Sequence, residues 1–131
     1  MSVGSFRSGI EAADQDAIRA SLTDDVVLHS PATRRPFEGC DLVSGLLTAA
    51  RGLLEDFRYV EVIEGDARAA LLFEAKVGGA DTRGLDLIHL DDSGKVKRVE
   101  VMLRPINATT LFVEGMGVRA SSLLAARKTK A

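Results

Sequence analysis

From Asp41 onward the apolar positions Leu42, Val43, Leu46, Leu47, Ala50, Leu53 and Leu54 recur at i, i+3, i+4 and i+7. That stripe predicts an amphipathic helix with one buried face. Gly45 and Gly52 weaken the helix without breaking its period. Upstream, Phe6 and Ile10 share one face of a helix over Val3 to Ala13. Asp14 or Asp16 can cap a short second helix through Leu22, because a carboxylate accepts the free amides of a first turn. "DDVVLHSP" then reads as a strand ended by Pro31, and "ATRRPFEG" as a loop.

Beyond the long helix the period changes to two. Phe57–Ile63, Ala69–Val77, Thr82–Leu90 and Val96–Arg104 are strand candidates, separated by the turn residues of "EGD", "VGGA" and "DDSG". Such short connections predict antiparallel hairpins between consecutive strands. "NATTLFVEGMG" suggests a final helix with Asn107 as its cap, with "SSLLAAR" able to extend it. Helices, one strand, a helix and a four-stranded meander make an α+β domain. We place that domain at residues 1–118, followed by a basic tail, 119–131, with helical potential.

Alternation also sorts the faces. If Asp86 faces a buried surface, so do Gly84, Ile88 and Leu90, and with them Val99, Val101 and Leu103 on the next strand. On the preceding strand Leu71, Phe73, Ala75 and Val77 point the same way. The inward set is apolar apart from Asp86. An ionised carboxylate without partners costs several kcal/mol in an apolar interior, so Asp86 must be paired, hydrated or protonated there. Either a buried tyrosine, serine or arginine partners it, or it anchors a ligand in an apolar pocket.

Charge and composition narrow the function classes only a little. The 131 residues carry 17 Lys and Arg against 19 Asp and Glu, a formal net charge of -2, which calls for neither nucleic acid nor an anionic membrane as partner. Residues 1–66 hold 6 basic and 12 acidic side chains and residues 67–131 hold 11 and 7, much of that excess in the tail, which reads as a solvated terminus. Cys40 is the single cysteine, so an internal disulfide and a cysteine metal cluster are excluded. The chain shows no signal-peptide pattern and no stretch near the roughly 18 apolar residues of a membrane span. A cytoplasmic protein without a cofactor is the expectation.

The order of elements, with "DAIRASLTDDVVLHSP", "FEGCDLVSGLL" and "GLDLIHLDDSGKVKRVEVMLRP", resembles the nuclear transport factor 2-like superfamily, and its SnoaL-like branch in particular. The resemblance covers roughly residues 3–118. It implies a cone-shaped, strongly curved antiparallel sheet wrapped around N-terminal helices, the cystatin-like fold. The concave face would line a pocket and the convex face would make a dimer contact. Ketosteroid isomerases, limonene epoxide hydrolases and polyketide cyclases share this fold with many binding proteins, so fold alone cannot assign a reaction.

Resemblance to the ketosteroid isomerases places at Asp86 an aspartic acid held neutral by an apolar site so that it can donate a hydrogen bond. Their general-base aspartate is matched by Ser30 and their tyrosine donor by Phe6. A serine without an activating partner is too weak a base for a carbon-bound proton, and phenylalanine donates nothing. The cyclase aspartate is matched by Val101 and its histidine by Asp86; the hydrolase Arg-x-Asp set is absent. Each known chemistry loses a required group.

Three readings follow. The leading one is a binder of a small hydrophobic molecule, with Asp86 as anchor and Phe6, Leu28, Ser30, Tyr59, Phe73, Ile88, Val99 and Val101 as further ligand-binding positions, although alternation does not fix the face of Tyr59. The second is an isomerase, cyclase or hydrolase using Asp86 as acid/base with His29 or Tyr59 as partner. His29 and Ser30 are strand neighbours on opposite faces, which argues against a Ser30–His29–Asp86 triad, and His29 reads first as a satisfied residue under the loop. His89 belongs on the convex face, so the two histidines cannot share a metal and no metal site is expected. The third is an interaction module acting through the convex positions Leu72, Leu85, Leu87 and Met102, an apolar patch that predicts a homodimer. Arg34 and Arg35 read as solvated charges, Arg104 as either turned to the pocket mouth or paired with Glu100 or another surface acid, and Cys40 as a packed residue.

Overall fold

Two short helices lead the chain in the computed structural model, which describes residues 3–130 and side chains as far as Leu123. α1 (Gly4–Ala12) buries Phe6, Gly9 and Ile10 and stops where Ala13 turns left-handed, φ 51°. α2 (Gln15–Ala20) is capped by Asp14, whose carboxylate accepts the Ala17 amide at 3.1 Å. It ends before the expected Leu22, because the Ser21 hydroxyl donates back to the Ile18 carbonyl and Leu22 already belongs to β1 (Leu22–His29). The "ATRRPFEG" loop ends in a two-residue strand that local sequence did not suggest. This β2 (Phe37–Glu38) exists only because it pairs with Val27 and Leu28 of β1.

α3 (Cys40–Leu53) buries Leu42, Val43, Leu46 and Leu47 along the expected stripe. The meander follows as β3 (Glu55–Glu64), β4 (Arg68–Val77), β5 (Ala80–Leu90) and β6 (Val96–Arg104), each pair antiparallel. The tightest hairpin, β4–β5, turns through Gly78 and Gly79, both with positive φ (55° and 82°), which glycine adopts without steric cost.

β1 closes the order β2-β1-β6-β5-β4-β3 by running parallel to β6. The sheet is curved and unclosed, and its register faults account for the bend. Pairing slips between Leu22 and Val27 on β1 and between Tyr59 and Glu61 on β3, and bulged residues of this kind kink a strand and deepen its twist. The concave face is the one alternation assigned: Leu71, Phe73, Ala75, Val77, Gly84, Asp86, Ile88, Leu90 and Val99 are all buried.

α4 (Ile106–Lys130) lies over that face, burying Ala108, Phe112 and Met116 at helical spacing. Asn107 is not its cap. The Pro105 carbonyl accepts the Thr109 amide at 3.0 Å, so the first helical bond forms upstream of Asn107, which is exposed in the first turn. A proline, with its φ already near the helical value, is a sufficient start. Among the described residues no helix is long and apolar enough to cross a membrane.

Candidate functional site

Asp86 stands in the middle of β5, opposite Leu71 on β4 and Val101 on β6, and only 7% of its surface is exposed. Its partner comes from two strands away. The Tyr59 hydroxyl donates to Asp86 Oδ2 at 3.1 Å, and Tyr59 is itself buried. Asp86 Oδ1 has no hydrogen-bond partner among the described residues.

Aromatic packing holds the tyrosine in place. Phe57, Tyr59 and Phe73 form one cluster, with ring centroids 4.9 Å apart for Phe57–Tyr59 and 5.0 Å for Phe57–Phe73. Phe73 lies directly across from Gly84, and a Cβ on that glycine would sit 2.1 Å from the Phe73 ring. Glycine at position 84 thus makes room for the ring beside Asp86.

Burial drives the electrostatics. Loss of water pushes the Asp86 carboxyl up to about 7, with the Tyr59 hydrogen bond acting in the opposite sense. The Tyr59 phenol is raised above its ordinary value, first by burial and then by the neighbouring Asp86, so it stays a donor. A carboxyl near neutrality with one oxygen committed to a phenol can accept a hydrogen bond when ionised and donate one when protonated.

That carboxyl borders a narrow cavity of about 30 Å³. The sheet contributes Phe57, Phe73, Asp86, Val101 and Leu103; the helices contribute Ile10, Leu47, Ala50, Arg51 and Phe112, and Leu54 joins them from just past the end of α3. The volume accommodates about one water molecule, and a larger guest requires a wall to move. A wider groove of about 460 Å³ opens elsewhere, between charged residues of β3 to β6. Its Arg58 and Arg83 are taken up by Glu74, at 2.6 and 3.4 Å, and its charges are solvated, so the groove lacks the dry polar anchor of the smaller cavity.

Of the ten positions singled out in the sequence, Phe73, Asp86 and Val101 line the cavity, and Tyr59 touches it through Asp86. Phe6, Leu28, Ile88 and Val99 are core side chains at or below 4% exposure and do not line it. Leu28 pairs with inward-facing Val99, which sends His29 outward beside Glu100, away from Asp86. Ser30 Oγ accepts the Ala32 amide at 3.1 Å within the following turn. Neither joins Asp86, so no triad forms. His89 is opposite Arg98 on the outer face, and its imidazole is lowered by partial burial and by Arg68, Arg98 and Lys97.

Arg51, Phe57 and Phe112 are the lining residues that helical spacing and alternation did not assign to a buried face. Phe112 belongs to a helix whose direction over the sheet is a tertiary matter. Arg51 sits between two stripe positions of α3, Ala50 and Leu54, where its long chain follows the buried edge.

No family model and no curated protein matches the chain. Solved structures do. An uncharacterised bacterial protein with a cystatin-like fold from Silicibacter pomeroyi is 27% identical at a TM-score of 0.89, over 96% of this chain and 92% of that one. A steroid delta-isomerase from Pseudomonas aeruginosa is 31% identical at a TM-score of 0.86, over 94% and 91%. The chain belongs to the nuclear transport factor 2-like superfamily. A SnoaL-like protein of unknown function from Burkholderia thailandensis shares this nuclear transport factor 2-like fold at a TM-score of 0.63 and 18% identity, over 78% of this chain and 90% of that one.

Proposed function

We propose that this nuclear transport factor 2-like protein binds a small, mostly apolar molecule carrying one hydroxyl or carbonyl oxygen, with Asp86 as its anchor. The observation that carries the reading is the free Oδ1 of a buried carboxyl at the wall of a cavity whose other lining side chains are apolar except Arg51, while Oδ2 is held by Tyr59. One oriented polar group in an apolar enclosure is how small-molecule sites fix a ligand. Above about pH 7 the carboxylate accepts from a ligand hydroxyl; below it the acid donates to a carbonyl.

The test is binding of cyclohexanol and cyclohexanone at about pH 5 and about pH 9, on either side of the carboxyl's titration. The alcohol should gain and the ketone lose affinity as pH rises, and Asp86→Asn should abolish both trends. Binding by that variant that still follows the parent's trends across pH would sink the reading.

A second reading has its own support in the 31% identity to the Pseudomonas steroid delta-isomerase. A carboxyl near 7 can both take and return a proton in one turnover. On this reading Asp86 moves a proton within its ligand and Tyr59 orients it, since Ser30 and Phe6 stand outside the cavity. Turnover lost in Asp86→Asn with binding retained would favour it. We further propose that the protein is a homodimer joined through the outer face of the sheet, where Val60, Ile63 and Met102 are 42%, 57% and 45% exposed.

A further inference from the structure

The cavity beside Asp86 has one charged wall residue besides the anchor, Arg51 near the end of α3. The arrangement of its guanidinium is not that of a ligand-binding cation. Arg51 Nε donates to the Ile10 carbonyl at 3.0 Å and Nη1 to the Leu54 carbonyl at 3.2 Å. Nη2 reaches toward the Glu11 carbonyl at 3.5 Å. These acceptors are the last carbonyls of α1 and the exit of α3, the ends at which helix dipoles favour a cation. The guanidinium also stacks on Phe57, its carbon 4.7 Å from the ring centroid.

Arg51 therefore clasps α1, α3 and β3 around one side of the cavity. It is half-buried, whereas the wall residue Phe112 is 3% exposed and packed in the core. Arg51 shares the half-buried side of the cavity with Ala50, Phe57, Val101 and Leu103 and is the longest side chain among them, beside a space of about 30 Å³.

We infer that Arg51 is a specificity-determining residue, a removable wall whose displacement sets how large a guest the site admits. The inference rests on the reading of this cavity as the binding site. Because its donors point to backbone carbonyls, Arg51 selects by size and not by charge. Shortening the side chain should extend the cavity toward solvent without removing a hydrogen bond of Asp86 or Tyr59.

Two substitutions separate the wall from the clasp. Arg51→Met keeps an unbranched apolar stem along the wall and loses the guanidinium with its hydrogen bonds; Arg51→Ala loses both stem and bonds. Titration calorimetry with phenol and with 2-naphthol, at a pH where Asp86 is ionised, gives a two-ring to one-ring affinity ratio for each protein. Arg51→Ala should raise that ratio about ten-fold or more over the parent, since a second ring then buries its surface. Arg51→Met should change it by less than about three-fold. Thermal melting should fall in both, as both lose the clasp.

Equal ratios for the two variants would overturn the wall, and if Asp86→Asn still weakened phenol binding the site itself would stand. If Asp86→Asn left phenol binding unchanged, the reading of the site would fall whatever Arg51 did. Binding of neither phenol by any of the proteins would overturn both.

Discussion

The Tyr59 hydroxyl reaches across β4 to donate a 3.1 Å hydrogen bond to Asp86, a carboxyl two strands away. This bond favours the ionised form, while burial favours the neutral one and prevails. Tyr59→Phe removes the first effect and leaves the second. The Asp86 carboxyl should then titrate above about 7. Carbon-13 observation of the carboxyl through a pH series measures it, with Asp86→Asn identifying the resonance. An unchanged or lower value in Tyr59→Phe would mean that the phenol does not hold the carboxylate.

The same carboxyl makes stability depend on pH. Unfolded, Asp86 has the ordinary value near 3.9; folded, it titrates at about 7. Between those limits the folded chain holds a proton that the unfolded chain has released. Stability therefore declines as pH rises through this window, by up to about 4 kcal/mol, and levels off above it. Asp86→Asn keeps an acceptor for Tyr59 and carries no charge. It should be more stable than the parent above about pH 7, with the difference vanishing below about pH 4. Urea unfolding at several pH values decides the matter, and a variant less stable than the parent at high pH would contradict it.

Gly84 and Phe73 offer a test of how the site is supported. A Cβ at position 84 would meet the Phe73 ring at 2.1 Å, so Gly84→Ala must displace the aromatic cluster that holds Tyr59. Overpacking of this kind costs about 1–3 kcal/mol. Phe73→Leu in the same chain should restore part of the loss, because the two sites share one volume. The double-mutant cycle in urea reads the coupling directly. Additive effects would show that ring and glycine do not constrain each other.

Much of this arrangement was legible in the sequence, and the reason is periodicity. The strands of the meander are long and alternate cleanly, so Asp86, Phe73 and Val101 could be assigned to one face before any fold was known. The order of elements then supplied the family. What escaped notice has a common cause. Tyr59 precedes a bulge that spoils alternation on β3, so its face could not be fixed. β2 forms by pairing alone, and Asn107 yields to the Pro105 carbonyl as the start of α4. Arg51 acts through carbonyls of α1 and of its own helix exit, a contact created when α1 and α3 pack together. Conversely, Phe6, Leu28, Ile88 and Val99 have the inward orientation expected of pocket walls but are packed as core, because inward-facing does not mean cavity-facing.

The outer face of the sheet yields the last prediction. Leu72, Leu85 and Met102 stand in register across β4, β5 and β6, and Leu87 follows on the same side. Met102 is 45% exposed and Ile63, near the sheet edge, 57%. Salt-bridged charges lie on two sides: Arg58–Glu74–Arg83 along one, Arg98–Glu100 along the other. An apolar centre with a polar rim is the anatomy of a protein interface. At micromolar concentration the protein should sediment at twice the mass of one chain. In a two-fold dimer Met102→Asp would bury one charge on each copy, a change large enough to give monomers. Since position 102 faces away from the cavity, the Asp86 titration should stay near 7 in those monomers. A parent protein that already sediments as a monomer would end the proposal. Loss of the raised Asp86 value on dissociation would instead tie the cavity to assembly, and make the outer face part of how the site is built.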